Sequence, residues 1–199
     1  MTGLELRTPR LLLRPWHASD DAEVAAALDI YRRDEVARWL GATPRPWPDL
    51  DYARARLARW ESVFGETPGL GLWAVVPDGA AHPAGTVLLV RLPDADGAPT
   101  DDVEIGWHLH PDAWGHGYAT EAAKALLEHA FGTLDLPCVN AVAYAGNAPS
   151  FAVMQRLGMA AQGSTDRWYG VTMQWWRIDR ADWLRTHPGP LADPLPGPE

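Results

Sequence analysis

The sequence predicts a single α/β or α+β domain, because short apolar segments alternate with longer segments of helical periodicity. The chain has 199 residues, of which 47% are hydrophobic and 22% are charged, as expected of a folded domain with a substantial core. The predicted order is strand, helices, three strands, helix, strand, helix and strand. We assign residues 1–187 to this domain and predict that the proline-rich residues 188–199 form a disordered tail.

The first half of the chain carries one strand and two helices. The apolar run at residues 11–16 is typical of a strand. A helix is expected to begin after a cap at Ser19 or Asp20 and to end by Gly41. Residues 42–48 are rich in proline and form a loop. Apolar residues at spacings of three and four then predict a helix over residues 49–64.

The second half begins with a predicted hairpin of strands 70–77 and 84–92, followed by a polar turn at 93–101. Residues 102–110 alternate as a strand does, with one face formed by Val103, Ile105, Trp107 and Leu109 and the other by Glu104, Gly106, His108 and His110. The remaining predicted elements are a helix from about Gly117, a strand at 139–144, a helix at 149–157 and a strand at 171–178.

Composition excludes several classes of function. The formal net charge is −9 and no basic face stands out, so a nucleic-acid partner is not expected. No apolar run approaches the roughly 18 residues of a membrane helix, and the N-terminus does not resemble a signal peptide. Cys138 is the single cysteine, which excludes an internal disulfide and indicates a structural thiol in a cytoplasmic protein.

Two glycines, Gly115 and Gly117, stand where a strand gives way to a helix. Glycines there let a ligand approach the unpaired amides at the positive end of the helix dipole, which favours a phosphate or pyrophosphate. A tight turn that binds nothing is the alternative. Neither the nucleotide P-loop nor the dinucleotide fingerprint matches, since the Gly-Lys-Ser/Thr and the third glycine are missing.

Residues 104–131, EIGWHLHPDAWGHGYATEAAKALLEHAF, resemble the acetyl-coenzyme A signature of the GNAT superfamily of N-acetyltransferases. Residues 114–119 correspond to its Gln/Arg-x-x-Gly-x-Gly/Ala loop, with Trp114 at the first position. That tryptophan, the segment at 147–159 and the opening at 4–16 look like the branch of ribosomal-protein N-terminal (RimJ/RimL-type) acetyltransferases. The resemblance spans about residues 4–185.

The resemblance implies a mixed, mainly antiparallel sheet flanked by helices, with acetyl-CoA as co-substrate and no metal. An amine acceptor would attack the thioester directly in a ternary complex; a cationic amine or a protein N-terminus would serve, and a homodimer stays open. Leu109 would offer backbone hydrogen bonds and Asn147 a side-chain hydrogen bond to the pantetheine arm, although Asn147 also suits a helix cap. The pyrophosphate would be held by the amides of Trp114, Gly115, His116, Gly117, Tyr118, Ala119 and Thr120.

The reaction needs a base, because a primary amine with a pKa of about 10 is mostly protonated at pH 7. We nominate Glu104, since family members often carry a glutamate on this strand, with His108 as the second candidate. A solvated or salt-bridged strand carboxylate is the alternative for Glu104. The tyrosine that many members use as the acid is replaced by Met154. In the ribosomal-protein branch a serine at the Ser150 position can serve as the acid, so the resemblance makes Ser150 the candidate acid, with first-turn capping as its alternative.

Tyr144 is a substitute for the acid, although a strand tyrosine often belongs to the core. Residues 31–48 are expected to form one wall of the acceptor pocket, and an aromatic wall beside acidic residues would suit a cationic amine. Two other functions remain open. A zinc site would use His108, His110 and His116 with Asp112. A non-catalytic acyl-CoA sensor would bind the cofactor without turnover.

Overall fold

The computed structural model describes residues 4–187, which form eight strands and six α-helices. The strands are β1 (Leu6–Arg7), β2 (Leu11–Pro15), β3 (Gly71–Pro77), β4 (Gly85–Pro93), β5 (Pro99–Leu109), β6 (Cys138–Ala143), β7 (Ala160–Thr165) and β8 (Met173–Asp179). The helices are α1 (Asp21–Tyr31), α2 (Asp34–Ala37), α3 (Leu50–Glu66), α4 (Tyr118–Gly132), α5 (Ala148–Arg156) and α6 (Arg180–Thr186).

The strands form one sheet in the order β1-β2-β3-β4-β5-β6-β8-β7. Neighbouring strands are antiparallel, except that β5 and β6 are parallel because α4 crosses between them. These two strands are in register at Glu104 and Asn140. The prediction of a mixed, mainly antiparallel sheet flanked by helices is therefore confirmed, including the hairpin of β3 and β4.

Two hydrophobic cores cover the two faces of the sheet. The first packs α4 and α6 onto one face, and it includes Val103, Ile105 and Leu109 of β5. The second packs α1, α2 and α3 onto the other face. The predicted alternation along β5 is confirmed, so Glu104 and His108 point away from α4. The alternation thus directs these two side chains toward the α1–α3 side.

The structure differs from the sequence-based elements in several places. The helix expected before Gly41 divides into α1 and α2, because Arg33 is extended, with φ −79° and ψ 125°. This break lets Tyr31 and Val36 both be buried. The turn expected at 93–101 is tighter, since Asp94 N–H bonds the Ala98 carbonyl at 2.8 Å and β5 already begins at Pro99.

Three elements carry too little pattern to be predicted. β1 has two residues, and β7 is an exposed edge strand without apolar alternation. α6 follows β8 with no glycine or proline between them. Over the described residues, no helix combines the length and apolar character that crossing a bilayer requires. The predicted tail at 188–199 lies outside the described part of the chain.

Candidate active site

A cleft of about 1790 Å³ runs across the sheet where β5 and β6 are paired. Its lining comes from the loop before α4 and the start of α5 on one side, and from residues 31–60 on the other. Pockets for a single small ligand commonly measure about 300–1,000 Å³. The cleft therefore has room for two substrates side by side.

The glycine loop lies at one end of this cleft. Gly115 and Gly117 have left-handed φ angles of 77° and 81°, and Gly117 caps α4 without a side chain. A Cβ on Gly115 would meet no atom within 4 Å, so ligand atoms can approach the backbone there. The first hydrogen bond of α4 runs from Glu121 N–H to Gly117 O, which leaves the amides of Tyr118, Ala119 and Thr120 without partners inside the helix. The loop thus fits the phosphate site that the sequence predicts.

Trp114 fixes the loop to the strand before it. Its indole Nε1 donates to the Leu109 carbonyl at 2.9 Å, while 48% of the residue remains exposed. One lone pair of the carbonyl proposed to bond the pantetheine arm is therefore already engaged. The tryptophan that replaces the family's Gln or Arg has a structural use here.

Arg10 ties the β1–β2 connection to the same loop, a role that the sequence did not reveal. Its guanidinium binds the Glu121 carboxylate at 2.6 Å and donates to His116 O at 3.1 Å. Although burial alone would raise the pKa of Glu121, hydrogen bonds from Thr8 and Arg10 hold that pKa below its ordinary value. Arg10 thus neutralises a carboxylate that would otherwise repel an anion at the start of α4.

Asn147 and Ser150 lie at the start of α5, and both line the cleft. The Asn147 side-chain oxygen accepts from Ser150 N–H at 3.3 Å, so Asn147 is the helix cap. Its contact with pantetheine and the acid role of Ser150 stay predictions. Met154 is 2% exposed, so the usual tyrosine position holds an apolar side chain.

Glu104 is the buried carboxylate of the cleft, with 8% exposure, which argues against the solvated alternative. Tyr169 donates its hydroxyl to Glu104 Oε2 at 2.5 Å. Burial raises the pKa of Glu104 to about 7, against the opposing effects of Tyr169 and the Val142 amide. A carboxyl with this pKa can exchange a proton near neutral pH.

Tyr169 was missed by the sequence analysis. It lies beyond β7 and has a left-handed φ of 61°, which is rare for a residue with an aromatic side chain. Burial and the Glu104 carboxylate raise the Tyr169 pKa well above its ordinary value, so its proton stays on the phenol. No local sequence signal marks this contact, because 65 residues separate the two side chains.

His108 lines the cleft on the same face as Glu104. Its Nδ1 lies 3.4 Å from the Tyr31 hydroxyl, which itself donates to Thr86 Oγ1 at 2.6 Å. Burial lowers the pKa of His108 to about 4, so the ring is neutral at pH 7. A neutral imidazole with so low a pKa is a weaker base than Glu104.

The three histidines that the sequence suggested as zinc ligands each contact different neighbours. His110 Nε2 lies 3.2 Å from Asp29 Oδ2, and His116 Nδ1 lies 2.8 Å from Trp114 O. His108 faces Tyr31. Across the part of the chain that the structure describes, no three histidine, cysteine or acidic side chains come together as metal ligands do.

Aromatic rings line the opposite wall. Tyr31 and Trp47 belong to the nominated residues 31–48, and Tyr52 lies beyond them on α3. Trp47 stacks on Tyr31 with centroids 4.3 Å apart and contacts Tyr52 at 5.7 Å. The Tyr144 hydroxyl donates to Gly41 O at 2.8 Å and thereby joins this segment to the end of β6. Tyr144 is partly buried and does not belong to either hydrophobic core.

The fold, the glycine loop before α4 and the adjoining cleft are the features that a transferase with a phosphate-bearing co-substrate needs. Residues 10–160 match the family model of the acetyltransferase (GNAT) domain. YnaD of Bacillus subtilis strain 168, named as an uncharacterized N-acetyltransferase, is 37% identical over 73 residues, which are 37% of this chain and 43% of YnaD. YdaF of the same organism, provisionally named a ribosomal N-acetyltransferase, is 27% identical over 143 residues, or 72% of this chain and 74% of YdaF.

Among solved structures, an acetyltransferase from Agrobacterium tumefaciens C58 superposes with a TM-score of 0.71 and 26% identity, covering 89% of this chain and 95% of that one. The chain belongs to the GNAT acetyltransferase family. It is an acyltransferase with acetyl-CoA as co-substrate, and its relatives agree with the RimJ/RimL-type branch. The expected family, enzyme class and co-substrate are confirmed.

Proposed function

We propose that the chain transfers the acetyl group of acetyl-CoA to a primary amine by direct attack in a ternary complex. The acceptor is a small-molecule amine or the N-terminal amine of a protein. The observation that carries the proposal is the buried Glu104 carboxylate, which lies in the same cleft as the glycine loop. A cytoplasmic location and the division at residues 187 and 188 stay predictions of the sequence.

Glu104 is the general base of this proposal. Its pKa of about 7 lets it accept the ammonium proton at neutral pH, which frees the nitrogen lone pair for attack. Tyr169 positions the carboxylate and favours its ionised form through the hydrogen bond to Oε2. His108, neutral and beside Tyr31, contributes a polar surface to the same wall.

The loop of residues 114–120 holds the pyrophosphate, and Leu109 and Asn147 direct the pantetheine arm along the cleft. Bound acetyl-CoA supplies the thioester that the amine attacks. Ser150, which lines the cleft at the start of α5, is the candidate donor of a proton to the departing sulfur.

Two measurements on the purified protein test the function. Isothermal titration with acetyl-CoA measures cofactor binding, and a thiol-release assay with a broad amine panel measures transfer. We expect saturable binding together with thiol release that depends on one class of amine. Binding without thiol release for any amine would contradict catalysis and would support the non-catalytic sensor.

Gly117→Trp tests whether the loop is the cofactor site, because the indole would fill the space in front of the first-turn amides. Gly79→Trp is the matched control, since Gly79 also has a left-handed φ, 74°, but lies in the turn between β3 and β4. Loss of acetyl-CoA binding in the first variant alone is expected. Equal binding by both variants would place the cofactor elsewhere.

A further inference from the structure

We propose that the acceptor is a primary amine that also carries an anionic group, such as a carboxylate. The inference rests on the proposed acetyl transfer and adds the substrate class. It comes from the arginines of the cleft, most of which form no ion pair or hydrogen bond within the part of the chain that the structure describes. A free amino-acid-like molecule and an acidic peptide N-terminus share this chemistry.

The arginines divide into two groups by their contacts. Ten form ion pairs with carboxylates, and of these Arg10 alone lines the cleft. The other six make no ion pair and no side-chain hydrogen bond with any described residue. All of them except Arg32 line the cleft: Arg7, Arg38, Arg45, Arg56 and Arg156. Unpaired positive charge is thus concentrated there, within a chain of net charge −9.

Bound acetyl-CoA would lie near only some of these positively charged side chains. Lys124 lies on α4 beyond the glycine loop and Arg156 ends α5, so both belong to the α4 side of the cleft. Arg38 follows α2, Arg45 lies in the loop after it, and Arg56 lies on α3. These last three are on the face toward which Glu104 points, where the acceptor amine must lie.

One of these arginines lies against an aromatic ring. The Arg38 guanidinium lies over the Trp39 ring, 4.9 Å from its centroid. Arg56 lines the same cleft as Tyr31 and His108. Burial raises the pKa of Tyr31 well above its ordinary value, and the positive charge of Arg56 opposes that rise. Glu35 is the one carboxylate that residues 31–60 add to the described lining.

The arginines on the acceptor side determine which class of amine binds. A guanidinium recognises a carboxylate through charge-assisted and often bidentate hydrogen bonds. A diamine would bring a second cation into a wall with three arginines and one glutamate. Nearby positive charge also lowers the pKa of the acceptor ammonium, which makes its proton easier for Glu104 to accept. The sequence suggested an aromatic wall beside acidic residues. The lining instead places three arginines beside the aromatic rings.

Two series of acceptors test the proposal and distinguish a free amino-acid-like molecule from a peptide N-terminus. In the first series, the same short aliphatic amine has a carboxylate, an amide or a second amine at its far end. The second series consists of short peptides with Glu, Gln or Lys at the second position and an amidated C-terminus. We expect kcat/KM for the carboxylate member of at least one series to exceed that of its amide by about tenfold or more. The preference should shrink as salt is added.

Arg45→Gln and Arg56→Gln, alone and combined, should reduce this preference at least several-fold while leaving acetyl-CoA affinity unchanged. Arg32→Gln is the matched control, because Arg32 is also an unpaired arginine but lies outside the cleft. Arg56→Glu should shift the preference toward the amide and the diamine.

Transfer without preference for the carboxylate, or with preference for the diamine, would overturn the inference and leave acetyl transfer intact. Loss of acetyl-CoA affinity in the Arg45 and Arg56 variants would also overturn it, since these arginines would then serve the cofactor. Absence of transfer to every member of both series would overturn the inference. Absence of transfer to the broad amine panel as well would overturn the proposed function.

Discussion

The two halves that we propose for the cleft, one for the cofactor and one for the acceptor, are built in different ways. The cofactor half consists mainly of backbone groups from one continuous stretch, residues 109–121. The acceptor half consists of side chains that the fold brings together from distant positions, among them Tyr31, Glu104 and Tyr169. Backbone recognition needs left-handed glycines and a helix start, whereas side-chain recognition needs correct tertiary packing. The two halves should therefore respond differently to substitution.

Glu104→Gln should give the largest effect, and it should be confined to catalysis. Glutamine keeps the shape and can still accept the Tyr169 hydroxyl, but it cannot take a proton from the amine. We expect kcat to fall by about 10²–10⁴-fold with acetyl-CoA affinity unchanged. Steady-state kinetics and isothermal titration measure the two quantities. A fall of less than threefold would remove Glu104 from the reaction.

The same substitution should stabilise the protein. The folded-state pKa of Glu104 is raised by burial to about 7, from 4.5, so its stabilising contribution is lost as pH rises from 4.5 through 7. Glutamine mimics the protonated carboxyl at every pH. Chemical denaturation at pH 8 should show a gain of about 2–3 kcal/mol, which should decrease toward zero near pH 4. Equal stability at pH 8 would mean that Glu104 is not desolvated.

Gly117→Val should affect only the cofactor half of the cleft. The β-branched side chain strains a left-handed φ of 81° and covers the amides that we propose to hold the pyrophosphate. We expect acetyl-CoA affinity to fall by roughly 10- to 100-fold, as titration would show. Gly79→Val carries comparable strain outside the cleft and should bind normally. An equal loss in both variants would indicate a general folding defect.

The sequence predicted the glycine loop and the start of α4 because their determinants are local. Gly115, Gly117 and the helix start are visible in one short segment, and the alternation of β5 placed Glu104 and His108 on one face. Tyr169 and Arg10 could not be found in this way, since each meets its partner across a sheet or a loop junction. The division of α1 from α2 also escaped, because the burial of Tyr31 and Val36 against distant residues decides it. Strand β7 escaped because it is an exposed edge strand that only its pairing with β8 defines.

Tyr169→Phe should shift the pH dependence of catalysis without abolishing activity. Removing the hydroxyl removes a hydrogen bond to the ionised carboxylate, so the pKa of Glu104 rises above about 7. Because activity needs the ionised form, the rising limb of kcat/KM should shift to higher pH. The rate should fall about three- to tenfold at pH 7 and recover by pH 9. A uniform loss at all pH values would indicate a structural role only.

Tyr144→Phe should have the smallest effect, and it separates two roles for this residue. The structure shows its hydroxyl donating to Gly41 O at 2.8 Å, which joins the acceptor wall to the end of β6. A partly exposed hydrogen bond of this kind is worth about 1 kcal/mol, so the acceptor KM should rise only about two- to fivefold. Because Tyr144 then acts through the position of the wall, kcat and acetyl-CoA binding should stay unchanged. If kcat instead fell a hundredfold or so, Tyr144 rather than Ser150 would be the proton donor to the departing sulfur, and the acceptor half would contain the acid as well as the base.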